Sequence, residues 1–164
     1  MTIAIREMMQ TDDERICEIS ADCYRFAARV GDFTDAQMES SLLTHGTLAH
    51  VASLRTNGIA SVAELNGQLV GVIATLENSV QALLVATAAH GMGVGHALFR
   101  HAEAAMANAG HQTLTLKTRP SAIPFYLKMG MEFAGHWTPP AGPLAGVELT
   151  VLGKSLATST TNQM

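Results

Sequence analysis

An apolar run, a glycine cluster and a helix-forming segment follow one another between residues 80 and 110, and no other stretch constrains the fold as much. VQALLVA at 80–86 is continuous and of strand length. HGMGVG at 90–95 comes next, and in HALFRHAEAAMANAG the residues Leu98, Ala102, Ala105 and Ala109 share one helical face. Small residues between a strand and a helix let successive backbone N–H groups converge on an anion at the helix N-terminus. A phosphate is the natural guest, and spacing narrows the kinds of phosphate site. A P-loop needs Lys and then Ser or Thr after its last glycine, whereas His96-Ala97 follows Gly95. The dinucleotide fingerprint needs a glycine at position 96 and an acid in the next strand, and TLTLKT supplies none.

The rest of the chain reads as alternating elements around this unit. Ile3 and Ile5 alternate in a short opening strand, and Thr11-Asp12-Asp13 supplies helix-capping chemistry. Ile16, Ile19, Cys23, Phe26 and Val30 lay one apolar stripe along a helix over 12–29 that Gly31 stops. Residues 34–55 form a second helical region carrying Met38, Leu42, Leu43 and Leu48, with a break at Gly46. Asn66-Gly67 between VAEL and QLVGVIATL predicts a tight β-hairpin. After the glycine unit, Gly110 caps the helix and Leu114 and Leu116 alternate in a strand. A short helix over 121–129 ends at Gly130. Two last strands lie near MEFAG and VELTVL, joined by the Pro/Gly loop at 138–146. One domain over 1–153 is expected, with 154–164 as a Ser/Thr-rich flexible tail.

Composition narrows the class. With 48% apolar and 15% charged residues in 164, the chain has material for a buried core and is not disordered throughout. A formal charge of −4 argues against broad capture of nucleic acid or of an anionic membrane. The first residues reach Arg6 and Glu7 before any apolar stretch, and no run is of membrane length, so a soluble cytoplasmic protein is expected. Cys17 and Cys23 would point about 120° apart on a helix, which suits reduced thiols and neither a disulfide nor a shared metal. His96/His101 and His45/His50 are each five apart, outside the i, i+4 spacing of a helical zinc site, so no metal is expected. No G-x-S-x-G elbow is present.

The stretch VQALLVATAAHGMGVGHALF resembles the coenzyme A motif of the GCN5-related N-acetyltransferase (GNAT) superfamily, in which a strand leads into Arg/Gln-x-x-Gly-x-Gly/Ala and a helix. His90, Gly93 and Gly95 occupy the matching positions, with Gly91 also where the family often has glycine. PSAIPFYLKMGMEF at 120–133 is similar to the family's later motif, an aromatic pair followed by a Lys-x-Gly turn and a strand. The sequence departs from the pattern at His90, usually Arg or Gln, and at Met92, usually basic or polar. The resemblance covers nearly residues 3–152.

That resemblance implies an α/β (α+β) GNAT fold, a central mixed and mostly antiparallel sheet flanked by helices. It implies acetyl transfer from acetyl-coenzyme A to a primary amine of a small molecule or peptide, by direct attack in a ternary complex. The alternative is a non-catalytic GNAT-like domain that binds an acyl-coenzyme A as a sensor or structural element. By the same resemblance the pantetheine arm lies along Leu83, Leu84 and Val85, and the Val85 N–H polarises the thioester carbonyl. His90, Gly91, Met92, Gly93, Val94, Gly95 and His96 take the cofactor's phosphates, and Tyr126 serves the departing thiolate. Glu77 and Glu64 are the carboxylates nearest to where the family places a base, and each also reads as a solvated surface group; Gln81 cannot serve. Glu103 and Glu148 are expected at the surface. Trp137 either lines the acceptor pocket or anchors the Pro-rich loop. A homodimer is compatible with this reading.

The charge divides at the hairpin turn. Residues 1–64 hold ten acids and five bases, −5, and residues 65–164 hold four acids and five bases, +1. Five of the seven histidines fall in the second part, which faces the anionic cofactor, and an acidic first part favours a cationic acceptor.

Overall fold

The computed structural model describes residues 2–156. The elements run β1 (Ile3–Glu7), α1 (Asp13–Arg29), α2 (Asp35–His45), α3 (Leu48–Asn57), β2 (Ile59–Leu65), β3 (Gln68–Leu76) and β4 (Ser79–Val85). They continue with α4 (Val94–Asn108), β5 (Thr113–Thr118), α5 (Ile123–Lys128), β6 (Glu132–Trp137) and β7 (Leu149–Ser155). All seven strands of the described residues join one sheet in the order β1-β2-β3-β4-β5-β7-β6, a mixed α/β architecture. Every neighbouring pair is antiparallel except β4 and β5.

Local chemistry accounts for most element ends. Asn66 (φ 53°) and Gly67 (φ 85°) both take positive φ, as the hairpin turn between β2 and β3 requires. Thr34 caps α2, accepting from the Gln37 N–H while the Gln37 side chain accepts from the Thr34 N–H. Gly46 ends that helix, which splits the expected 34–55 region into α2 and α3. Two bidentate pairs, Arg6 with Asp12 and Arg55 with Asp13, fasten the start of α1 to β1 and α3.

The centre of the sheet is covered on both faces. Gly71 of β3 faces α4 so closely that a Cβ there would lie 3.0 Å from Leu98 Cδ1 and 3.2 Å from Val94 Cγ1. Strand alternation turns Val70, Val72 and Ala74 to the other face, where α1 and α3 pack, and all three are buried. On α1 the expected stripe is buried at Ile16, Ile19 and Cys23, but Val30 is exposed because the helix has ended, and Ala27 fills its place. On α4 the buried face is Val94, Leu98, Phe99, Ala102 and Met106. Ala105 and Ala109 are exposed, since turning Phe99 and Met106 inward buries more apolar area than two methyl groups would.

One expectation changes on α4. Glu103 is half-buried between Arg100, 2.7 Å away, and Lys154, and so ties α4 to β7 instead of facing solvent. β7 runs to Ser155, and residues 157–164 of the expected tail lie outside the described residues.

Tyr24, His45 and His50 pack where α1, α2 and α3 meet. The His45 ring lies 4.8 Å from that of His50 and 6.2 Å from that of Tyr24. Burial lowers the proton affinity of both histidines, and His50 lowers that of His45 further. An imidazolium here would be desolvated, so the unfolded chain binds more protons once pH falls through the usual histidine value of 6.5. Stability is therefore lost on acidification. Thermal melting is expected to show a midpoint that falls between pH 8 and pH 5, less steeply in His45→Phe; an equal fall in both proteins contradicts this origin.

Candidate active site

β4 and β5 pair only at Ser79 and Thr115, near the start of each strand, and Thr115 N–H also donates to the Asn78 carbonyl. β5 instead pairs with β7 along its whole length. Among the described residues, the edge of β4 past Ser79 is thus left without a strand partner, and a cavity of about 550 Å³ lies there. Leu83 and Val85 of β4 form one wall, the glycine loop and first turn of α4 another, and Phe125 and Tyr126 of α5 a third.

The peptide groups of β4 can be followed across that wall. Ala86 N–H donates to the Val70 carbonyl on the β3 side at 2.8 Å. Successive residues of a strand alternate direction, so the N–H and C=O of Val85 point to the open side. Two side chains meet the carbonyl there: His90 Nε2 at 3.0 Å and the Cys23 thiol at 3.4 Å. A carbonyl only accepts, so His90 carries a proton on Nε2, and in the neutral ring the lone pair is then on Nδ1. Burial pushes the Cys23 thiol up to about 11.

The glycine loop takes its shape from two residues. Gly91 (φ 79°) and Gly93 (φ 85°) are left-handed, and open space surrounds the place of a Cβ at Gly91. Backbone conformation, not crowding, requires glycine there. Gly93 caps α4, which starts at Val94, and the first intrahelical bond runs from Ala97 N–H to the Gly93 carbonyl. The N–H groups of Val94, Gly95 and His96 are thus left without helical acceptors, at the positive end of the helix dipole. At Gly95 the constraint is space, because the Phe125 ring lies 3.4 Å from where a Cβ would sit. This contact joins the two sequence motifs.

Tyr126 is held by ring contacts with Phe99 at 6.1 Å and Phe125 at 5.1 Å. Burial pushes its phenol up to about 12, against the opposing influence of Arg119. Arg119 also lines the cavity and is fixed by Asp32, at 2.7 Å, which also accepts from Ser121 N–H and bonds its hydroxyl. Among the described residues the lining carries the cations Arg119 and Lys128 and no carboxylate, a composition suited to an anionic ligand.

Leu83, Val85, His90, Gly91, Gly93, Val94, Gly95, His96 and Tyr126 thus meet at one cavity. Leu84, which pairs with Val72 of β3, is outside the lining, and so is Met92, which is 41% exposed. The structure does not bring Glu64 or Glu77 to this cavity. Glu64 of β2 lies 3.6 Å from Arg6 of β1, and Glu77 (φ 55°) sits in the β3–β4 turn beside a smaller cavity with Ser61 and His101. Trp137 is outside the lining as well, with the Lys117 ammonium 4.1 Å over its ring.

Sequence reading missed the α1 wall, Cys23 and Phe26, together with Arg119 and its partner Asp32. It also missed Asp22, which accepts from Thr87 N–H at 2.7 Å and holds α1 to the loop after β4. Four of the ten acids in residues 1–64 (Asp12, Asp13, Asp22 and Asp32) are engaged in this way, so much of that acidity is structural and not aimed at an acceptor.

Residues 43–139 match the family model described as an acetyltransferase (GNAT) domain. A GCN5-related N-acetyltransferase from Rhodopseudomonas palustris has TM-score 0.87 and 22% identity, over 95% of this chain and 97% of its own. The PaiA N-acetyltransferase from Thermoplasma acidophilum, solved with coenzyme A, gives 0.73 and 16%, covering 94% and 99%. The ribosomal-protein-S18-alanine N-acetyltransferase from Escherichia coli gives 0.69 and 15%, covering 99% of each chain. At these identities the likeness is one of fold, and no curated protein matches the chain. With a family model spanning more than half of its residues, the chain belongs to the GNAT acetyltransferase family.

Proposed function

We propose that the chain transfers an acetyl group from acetyl-coenzyme A to a primary amine of a small molecule or peptide, by direct attack while both are bound. The observation that carries this reading is one cavity in which the free N–H groups of α4 and the open-facing Val85 peptide both lie. The first set suits a pyrophosphate, and the cations of the lining complement its charge. The Val85 edge suits an extended amide-bearing arm, and its N–H supplies a donor for a carbonyl oxygen that gains charge. Structures similar to this chain add support: PaiA was solved with coenzyme A, and the Escherichia coli enzyme's name gives an alanine as its acceptor.

A primary alkylamine near pKa 10.4 costs about 4.6 kcal/mol to deprotonate at pH 7, and an α-amine about 1 kcal/mol. Tyr126 works at the other end of the reaction. Transfer of its proton from about 12 to a thiolate of pKa about 8.5 is uphill by about 5 kcal/mol. Its hydroxyl therefore stabilises the thiolate by donating a hydrogen bond and keeps its proton. Such a bond to a charged group is worth about 1.5–3 kcal/mol. Tyr126→Phe is expected to lower kcat roughly 10- to 100-fold with little change in the KM for acetyl-coenzyme A, read as thiol release; unchanged kcat removes the residue from the mechanism.

That no carboxylate among the described residues lines the cavity favours a second reading, a domain that binds an acyl-coenzyme A without turning it over. Coenzyme A binding by calorimetry without thiol release across an amine panel would select it.

A further inference from the structure

We infer that His90 is the proton acceptor for the attacking amine, a role that rests on the transfer reading above. Among the described residues, the titratable side chains lining the cavity are Cys23, His90, His96, Arg119, Tyr126 and Lys128. Arg119 and Lys128 are cations with no lone pair to offer. Burial keeps the Cys23 thiol and the Tyr126 phenol protonated, at about 11 and about 12. Two imidazoles remain. His96 stands in the first turn of α4, beside the N–H groups that suit a phosphate. The His90 ring instead lies on the Val85 carbonyl, one peptide group from the N–H assigned to the thioester oxygen.

His90 is also held for the task. Its Nε2–H donates to Val85, its ring meets the Phe26 ring edge-on at 5.1 Å, and the tautomer leaves Nδ1 as the acceptor. An imidazolium formed there would keep the Nε2–H bond to a carbonyl that carries partial negative charge. Charged and titratable groups around it come from every neighbouring element. α1 supplies Cys23, Asp22 engaged by Thr87, and Arg29 at 5.8 Å from the Phe26 ring. The segment after β5 supplies Arg119 at 6.0 Å from the same ring, and α4 and α5 supply His96, Tyr126 and Lys128 to the shared cavity.

The step balances as follows: the ammonium form of the acceptor gives one proton to Nδ1, and its nitrogen bonds to the thioester carbon. The C–S bond breaks with its electron pair on sulfur. The second amine proton goes to the thiolate, and His90 returns the first to solvent.

The test uses the full-length chain, acetyl-coenzyme A and the alkylamine of a panel that turns over fastest, with kcat/KM measured from pH 5.5 to 9.5. His90→Gln still donates an N–H to Val85 but takes no proton. It is expected to lose 10²- to 10⁴-fold in kcat and the histidine limb of the profile. His90→Ala is expected to regain activity with added imidazole, and His96→Gln to keep the limb. A wild-type limb in His90→Gln, or His90→Ala unresponsive to imidazole while melting like wild type, overturns the assignment and leaves the transfer reading intact. Absence of thiol release by the wild type with every amine overturns both.

Discussion

Replacing Gly93 with aspartate is expected to weaken coenzyme A binding about 100-fold while lowering the melting temperature by only a few degrees. The left-handed backbone at Gly93 (φ 85°) strains most side chains, and Asp is among those that tolerate it best. An added Cβ would meet only Ile3 Cδ1 at 3.9 Å, an ordinary contact. Asp is also a preferred helix N-cap, so α4 keeps its start. Its carboxylate, however, takes the N–H groups that suit a phosphate and places a negative charge among them. A 100-fold loss is about 2.7 kcal/mol, the size of one or two charge-assisted hydrogen bonds. Calorimetric titration with coenzyme A checks this directly, and wild-type affinity in a folded variant would remove the glycine loop from the binding site.

The largest effect on stability is expected from Phe99→Ala. Phe99 is fully buried on α4 and backs the Tyr126 ring at 6.1 Å. Removing its ring leaves a cavity between α4 and α5, which costs about 3–5 kcal/mol. In a chain of this size each kcal/mol shifts the midpoint by about 2–4 °C, so a fall of roughly 10 °C follows. Tyr126 also loses support on one side, so kcat per folded molecule should drop too. Urea unfolding that shows a loss under about 1 kcal/mol would mean that α4 and α5 close the gap at little cost.

The parts of the fold legible in the sequence are those where one residue type answers one backbone demand. Asn66-Gly67 turns with both φ values positive, and Gly46 splits α2 from α3. The glycine loop at 90–95 is read from the same logic, and it forms one wall of the cavity. Faces were harder. The α4 stripe at Val94, Leu98, Ala102 and Met106 competes with an alanine stripe, and side-chain volume decides between them in three dimensions. The α1 wall was not legible, because Cys23 meets Val85 and Asp22 meets Thr87 only once the sheet has assembled.

The carboxylates show the same limit from the other side. Glu77 is close in sequence to β4, but the tight β3–β4 turn sends it to a different cavity, and Glu64 of β2 stays with Arg6 of β1. Nearness along the chain misled in both cases. Arg119 illustrates a residue with no local signal: its place depends on Asp32, just past the end of α1, which positions it over the Phe26 ring.

The central claim is acetyl transfer to an amine. It is tested most directly by incubating the chain with isotopically labelled acetyl-coenzyme A and a panel of amino acids, polyamines, aminoglycosides and peptides with free N-termini, read by mass spectrometry. The account predicts a labelled acetyl group on the nitrogen of at least one amine, formed in step with free thiol and lost in Gly93→Asp. Coenzyme A binding without any labelled amine would contradict it.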